Sequence, residues 1–468
     1  MTMAHWSEGA HCQSSPARDP YRRPSLLPTR LVGMALWLML WGGYNTGLWY
    51  VLDPAFPSSD WELVHGLRAF LPLLAGWLAI LAMLARQNLP PGAIEGPLGF
   101  LAFYALIGVA SSLLLSNEQF QATYWALAFG SVVLVLMSTL SDADPVRSVS
   151  SLVTLSWIIA VVMMLAILVA LPHIGGPSLA PGENNPLSAE ARRGGFVTAD
   201  IVGMAGTRNT GLARYAAVAG LAGLGRLWRG GLFVRGLWFL VLVVSGYSLV
   251  VAQGRTAMIG FVAGSFVILA LARRRRLLLL IWTPLAIVLM WSGGVFERLW
   301  VYGTRTGEFD PTLSGRTVTW QQGWELFKQS PWIGFGGQAD RYYLEGQHMH
   351  DALLHALVQT GLLGTIPFVL AFVIASVLVA RLYFARRPHG GLALLDEVPG
   401  FLVFFAIVSI TESTAYFSSN WLFCAPVLAY LQLMAWQQRV ARASASRALR
   451  MRVRLSRPRL AAPSQVSS

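Results

Sequence analysis

Charge and cysteine are what this sequence has least of. Only 12% of its 468 residues are Asp, Glu, Lys or Arg, and only two are cysteine, against 55% hydrophobic residues and 18 tryptophans. A chain so poor in charge cannot clothe a water-facing surface of its own size, which excludes an ordinary soluble domain and points to a polytopic membrane protein. Cys12 and Cys424 are expected on opposite sides of the membrane, which excludes a disulfide and a cysteine-based metal site. No Gly-rich nucleotide loop, internal repeat or soluble catalytic domain interrupts the chain, so any chemistry belongs to the loops between spans.

What is present in quantity is the apolar run. Stretches of about 17 to 25 apolar residues can each cross the hydrocarbon core as a helix. Twelve candidates begin near Leu31, Leu67, Pro97, Thr123, Ser151, Asn209, Gly236, Thr256, Leu277, Asp351, Gly400 and Ser419. The predicted fold is therefore all-α, a membrane helical bundle of about 12 transmembrane helices with short interfacial helices in its external loops.

Basic residues orient the bundle, because Lys and Arg beside a span are retained on the cytoplasmic side. With the N-terminus inside, Arg18, Arg22, Arg23, Arg86, Arg147, Arg226, Arg229, Arg235, the run Arg273 to Arg276, Arg386, Arg387 and the arginines after Trp436 all fall inside. Among the clear arginine clusters, Arg192 and Arg193 are the exception, in a long loop where the rule weakens. The first 30 residues read as a cytoplasmic tail and not as a cleaved signal peptide, 31–437 as the transmembrane domain and 438–468 as a basic cytoplasmic tail. The net charge of +13 is assigned to contact with anionic membrane lipids and not with nucleic acid.

Two external segments are long enough to hold a site, at 173–208 and 293–350. Within the second, "SGRTVTWQQGWELFKQSPWIGFG" predicts a short amphipathic helix capped by Ser314 and stopped by Pro331, with Trp320, Trp324 and Phe327 on one face. Lying on the membrane surface with that face down, it would hold Arg316 near headgroup height; an aromatic anchor beside a solvated arginine is the simpler alternative.

The segment "GQHMHDALLHALVQTGLLG" carries His348, His350 and His355 at the start of an apolar helix. A metal site is disfavoured, since His350 and His355 stand five apart where one helix face wants four, and Asp351 is the only adjacent carboxylate. An interfacial anchor and a catalytic base remain open. Arg255 opens a span in "VAQGRTAMIG", and Arg214 lies about 9 Å along its helix from Arg208 in "TRNTGLARYAAVAG". Arginine at membrane depth either snorkels to the interface or faces a cavity, a partner or an anionic ligand, and its planar fork suits phosphate oxygens.

The residues from Arg208 to Gly364 resemble the O-antigen ligase and O-antigen polymerase superfamily of bacterial inner-membrane glycosyltransferases. The ligase group carries a histidine followed by Asn, Ser or Gln, nine residues and Gly-x-x-Gly; here His350, Asp351, Gly361 and Gly364 match the spacing, with Asp351 as the departure. "GRTAM" and "RNTGLAR" resemble the family's external span openings, while Trp320 departs from an arginine-x-x-x-leucine pattern that would include Arg316.

The resemblance implies an enzyme without cofactor or metal that moves a glycan from undecaprenyl diphosphate to a hydroxyl of lipid A-core, or of a second lipid-linked glycan, at the periplasmic face. His350 is implied as base, with Arg316 and Arg255 on the leaving diphosphate. Arg208, Arg214, His348, Asp351, His355 and Glu412 are the candidate substrate contacts. Direct attack would invert the anomeric centre. A transporter is the rival class, but the spans show no paired helix breaks in two halves.

Overall fold

The computed structural model describes residues 29–44, 62–86, 94–174, 209–252, 254–271, 316–344, 348–384, 393–411 and 420–456. Every regular element among these residues is a helix. In chain order they are α1 (Thr29–Tyr44), α2 (Glu62–Arg86), α3 (Pro97–Leu115), α4 (Gln119–Leu140), α5 (Pro145–Ile174), α6 (Asn209–Arg226), α7 (Leu232–Ala252), α8 (Arg255–Leu271), α9 (Arg316–Gln329), α10 (Ala339–Tyr343) and α11 (Ala352–Phe384). A 3₁₀ turn (Ala393–Asp396), α12 (Val398–Thr411) and α13 (Trp421–Ser456) complete the set. A backbone in hydrocarbon must satisfy its own hydrogen bonds, and helices do so within one segment.

A helix stands at every predicted start except that near Leu277, which lies outside the described residues. Six helices are long and apolar enough to cross a membrane: those within α2, α3, α4, α5, α7 and α11. Thr256–Leu271 and Val398–Ile410 are apolar but shorter. The all-α expectation holds among the described residues, with six candidate spans in place of the twelve expected from sequence, and the chain is an integral membrane protein. Helix α13 continues past 437 to Ser456, so the basic tail begins as a helical extension whose residues 441–448 are exposed.

Lipid is as apolar as leucine, so helices here pack through small residues and polar ties. Helix α6 is buried along most of its length through Ala213, Ala216, Ala217 and Ala219. Gly264 of α8 and Gly400 of α12 let their backbones meet; a Cβ on Gly264 would lie 2.6 Å from the Gly400 carbonyl oxygen. Trp37 Nε1 donates to Ser156 Oγ at 3.0 Å and that hydroxyl to Leu422 O at 2.9 Å, joining α1, α5 and α13. Trp421 is enclosed by Phe129, Phe368 and Phe372 at ring distances of 5.0, 6.0 and 6.0 Å.

The polar groups sort to the two ends. At one end Arg86 pairs with Asp142 at 2.8 Å, and Arg226 and Arg229 close on Glu397 at 3.1 and 2.8 Å. The histidine segment lies at the other, where Tyr343 donates its hydroxyl to Leu115 O at the far end of α3.

Candidate active site

The segment bearing the histidines leads into a broken helix. Gly361, inside α11, has φ 58° and ψ −162°, so the helix stops and restarts there. A break frees backbone groups that lipid cannot satisfy, and the loop after α9 supplies partners. Phe335 N and Gly336 N donate to Val358 O and Gln359 O, each at 2.8 Å. On the other side of the break, Leu362 N and Leu363 N donate to Pro331 O and Trp332 O at 2.8 and 3.0 Å. The loop is pinned to α3 in turn, by Ser111 Oγ on Ile333 O and by Gly337 N donating to Ser112 Oγ at 3.0 Å.

A Cβ on Gly361 would sit 2.2 Å from the Trp332 carbonyl carbon, and one on Gly364 would sit 2.3 Å from Thr360 Cβ. The Gly-x-x-Gly spacing read from the sequence is therefore a packing requirement of the break.

His350 stands just before α11 with φ 50°, a left-handed conformation that non-glycine residues seldom adopt. Asp351 follows as the N-cap: its Oδ1 accepts from Leu354 N at 2.6 Å. Burial raises the Asp351 pKa, against the hydrogen bonds from Leu354 and Leu353 that favour its charged form. Asn, Ser and Asp are all good N-caps, which gives the departure at this position a physical reading.

Helix α9 holds the same segment from the side. Trp320 Nε1 donates to Met349 O at 2.5 Å, and Met349 is buried against Gly323. The tryptophan thus contributes a donor that a leucine lacks. Arg316 lies one turn before Trp320 on the same face of α9. Trp324 is 49% exposed and its ring lies 5.2 Å from that of Phe327, while the face packed on the protein runs through Thr319, Gly323, Leu326 and Phe327. Ser314 lies outside the described residues.

The carboxylate at the centre of the histidine cluster is Asp340, in α10. It is fully buried, with His348 Nδ1 2.9 Å from Oδ2 and His355 Nε2 2.9 Å from Oδ1. Burial would raise the Asp340 pKa, but the facing His355 and the hydrogen bonds from both histidines outweigh it and hold the carboxyl well below its usual range. Arg341 reaches the other nitrogen of His348, Nε2. With Asp340 accepting from Nδ1–H and Arg341 donating to Nε2, His348 is fixed as one neutral tautomer. Burial pushes the His348 pKa down, against the Asp340 carboxylate. His355, fully buried, is committed to the same carboxylate. The His350 ring lies 5.7 Å from that of His348, and its residue is half-buried.

This arrangement predicts an acid-labile fold. Unfolded His348 takes up its proton near the ordinary value of about 6.5 and the folded residue only lower, so stability falls as pH drops from about 7 toward 5. The Asp340 contribution has its carboxylate shift downward, so it is present above roughly pH 4 and lost only below. Thermal unfolding in detergent should show the decline, and His348→Gln should flatten it; a melting temperature that rises on acidification contradicts this assignment.

The remaining sequence candidates are placed unevenly. Arg214 donates from Nη1 to Asn420 Oδ1 at 2.5 Å and from Nε to Thr210 O at 3.2 Å, at the start of α13. Arg255 opens α8, but its side chain lies outside the described residues, as do Arg208 and Glu412. The structure thus brings His348 and His355 together on Asp340, with His350 beside His348, and holds Arg214 against Asn420. Sequence reasoning took Asp351 for the only carboxylate beside the histidines and missed Asp340. The available signal was an acid in "GGQADRYY", a segment otherwise short of charge. Among the described residues no three His, Cys, Asp or Glu side chains are placed to share a metal ion.

A buried histidine–carboxylate cluster at the mouth of a broken membrane helix defines a membrane protein with an ionisable site at one end of its bundle. Residues 240–369, from α7 through that break, match the O-antigen ligase family. Exopolysaccharide production protein ExoQ of Rhizobium meliloti (strain 1021) is 32% identical over 187 residues, a match covering 35% of this chain and 42% of that relative. The likeness to the O-antigen ligase and O-antigen polymerase superfamily rests on this region, and the match spans less than half the length of that relative.

Proposed function

We propose that the protein is a glycosyltransferase that moves a glycan from undecaprenyl diphosphate to an acceptor hydroxyl at the periplasmic face of the bacterial inner membrane. The proposed topology has about twelve spans and both termini in the cytoplasm, with chemistry independent of nucleotide and metal. His350 takes the acceptor proton as that oxygen bonds to the anomeric carbon. The bond from this carbon to the diphosphate breaks in the same step, inverting the centre, and the bonding electrons leave with the diphosphate.

The observation that carries this reading is the place of the histidine cluster: His350 stands at the opening of the broken helix α11, its ring 5.7 Å from that of His348, which is held with His355 on the buried Asp340. Arg316 and Arg255 are assigned to the leaving diphosphate, where fixed positive charge in a site of low dielectric is most effective. Arg208, Arg214 and Glu412 are assigned to the donor and acceptor, with Asp351 and His348 positioning the segment. Arg255→Lys keeps the charge and loses the fork, so transfer should fall by about 10²-fold or more; an unchanged rate would mark Arg255 as a snorkelling residue.

Ligase action on lipid A-core and polymerisation of a lipid-linked glycan use the same donor. The O-antigen ligase match supports the first, and the likeness to ExoQ, a protein of exopolysaccharide production, supports the second. Deleting the gene separates them. Loss of glycan from lipid A-core is expected for a ligase, and short chains for a polymerase. Unchanged surface glycan would oppose both.

A further inference from the structure

At the end of the bundle away from the histidines, a cavity of about 360 Å³ opens among α5, α6, α7 and α13, large enough for a small polar headgroup. Its lining includes Arg226, Arg229, Ser150, Thr154, Trp238 and Tyr430. Glu397, fully buried, fixes the two guanidinium groups: Arg226 Nε and Arg229 Nη1 donate to its Oε1 at 3.1 and 2.8 Å, and Trp157 Nε1 donates to its Oε2 at 3.1 Å. Arg226 also donates to Thr154 Oγ1 at 3.1 Å and lies 5.3 Å from the Trp238 ring centre. Arg229 donates to Asp396 Oδ2 at 3.1 Å while its side chain stays 28% exposed.

Two features indicate what such a cavity takes. Asp396 and Glu397 balance Arg226 and Arg229, but Arg235 and Arg147 are exposed at the rim, and Arg235 folds back to donate to the lining Gly230 carbonyl at 3.1 Å. Arg147 lies one turn before Ser150 on α5. Asp144, whose Oδ1 accepts from Arg147 N at 3.1 Å, joins Asp396 and Glu397 against these four arginines, so the local balance is positive by one charge. Beside the lining Val234, Leu232 and Phe233 are 88% and 86% exposed, an apolar threshold that acyl chains would cover and a soluble anion would not need.

We propose that this cavity binds the phosphodiester headgroup of an anionic phospholipid, held by Arg229 and the rim arginines with its acyl chains against Leu232 and Phe233. Bound there, the lipid bridges α5, α6 and α7 at the end of the molecule opposite the proposed chemistry. The site does not depend on the glycosyltransferase reading.

Native mass spectrometry of the purified full chain, exchanged into detergent with phosphatidylglycerol or phosphatidylcholine of matched chains, tests it. Phosphatidylglycerol should be retained in preference. Arg229→Gln and Arg235→Gln should each lower retention by about 5-fold, and Asp396→Asn, at an exposed carboxylate, should raise it. The opposite signs separate headgroup binding from a merely structural effect, and Asp396→Asn keeps the test alive if Arg229→Gln fails to fold. Equal retention of the two lipids, or no response to any variant, overturns the proposal. So does inorganic phosphate displacing phosphatidylglycerol completely at equal concentration, which would identify a soluble anion as the ligand.

Discussion

Replacing His350 with alanine is expected to reduce glycan transfer by about 10²- to 10⁴-fold, the range general-base catalysis contributes. In the proposed reaction the acceptor is an alcohol and the donor carries a good leaving group, so removal of the acceptor proton is the task left to the site. His348 cannot take it over, because both of its ring nitrogens are engaged, one by Asp340 and one by Arg341. His355 is enclosed against the same carboxylate. The backbone of His350 is left-handed, which alanine tolerates poorly, so His350→Asn belongs beside His350→Ala: asparagine accepts that conformation but cannot act as the base. Both variants should insert and fold, and both should lose transfer. Near-normal transfer by folded His350→Asn removes His350 from the chemistry.

The largest effect on the fold is expected at Gly361. A backbone at φ 58° and ψ −162° is nearly reserved to glycine and costs an alanine on the order of 1–3 kcal/mol by itself. The added Cβ would also lie 2.2 Å from the Trp332 carbonyl carbon and 2.3 Å from its oxygen, where only backbone could move. Moving that backbone pulls Pro331 O and Trp332 O away from Leu362 N and Leu363 N, leaving donors exposed in a medium without water. Gly361→Ala should therefore yield little monodisperse protein in detergent. Gly246→Ala is the control, since a Cβ there meets nothing within 4 Å and helical alanine is favoured over glycine. Equal yields and melting temperatures for the two variants would show that the break at Gly361 is not needed for the fold.

These two positions show how far the sequence could be read. The helices were legible because hydrocarbon imposes length and composition on anything that crosses it, so α2 through α5, α7 and α11 are announced by their apolar runs. His350 and Gly361 were legible as a spacing, but the physical content of that spacing was not. The ladder between 331–336 and the halves of α11 is made of backbone groups, which leave no signature in side-chain type.

Asp340 was invisible for a related reason. It precedes His348 by eight residues and His355 by fifteen, and the three come together only in the folded chain. Asp351 drew attention by adjacency and proved to be a helix cap. The cavity at Arg226 and Arg229 was equally hidden, since its carboxylates come from the turn before α12, more than 160 residues later in the chain. Local pattern reports what the solvent demands of each segment. It does not report which distant segments answer a buried charge.

The most direct measurement reconstitutes the purified protein with an undecaprenyl-diphosphate-linked glycan and its acceptor, without nucleotide, and follows free undecaprenyl diphosphate and the anomeric configuration of the product. Release of undecaprenyl diphosphate that requires the acceptor, with inversion at the transferred sugar and loss of both in His350→Asn, is the expected result. No release by the folded wild-type protein with either a lipid A-core or a lipid-linked glycan acceptor, or a retained anomeric configuration, would contradict it.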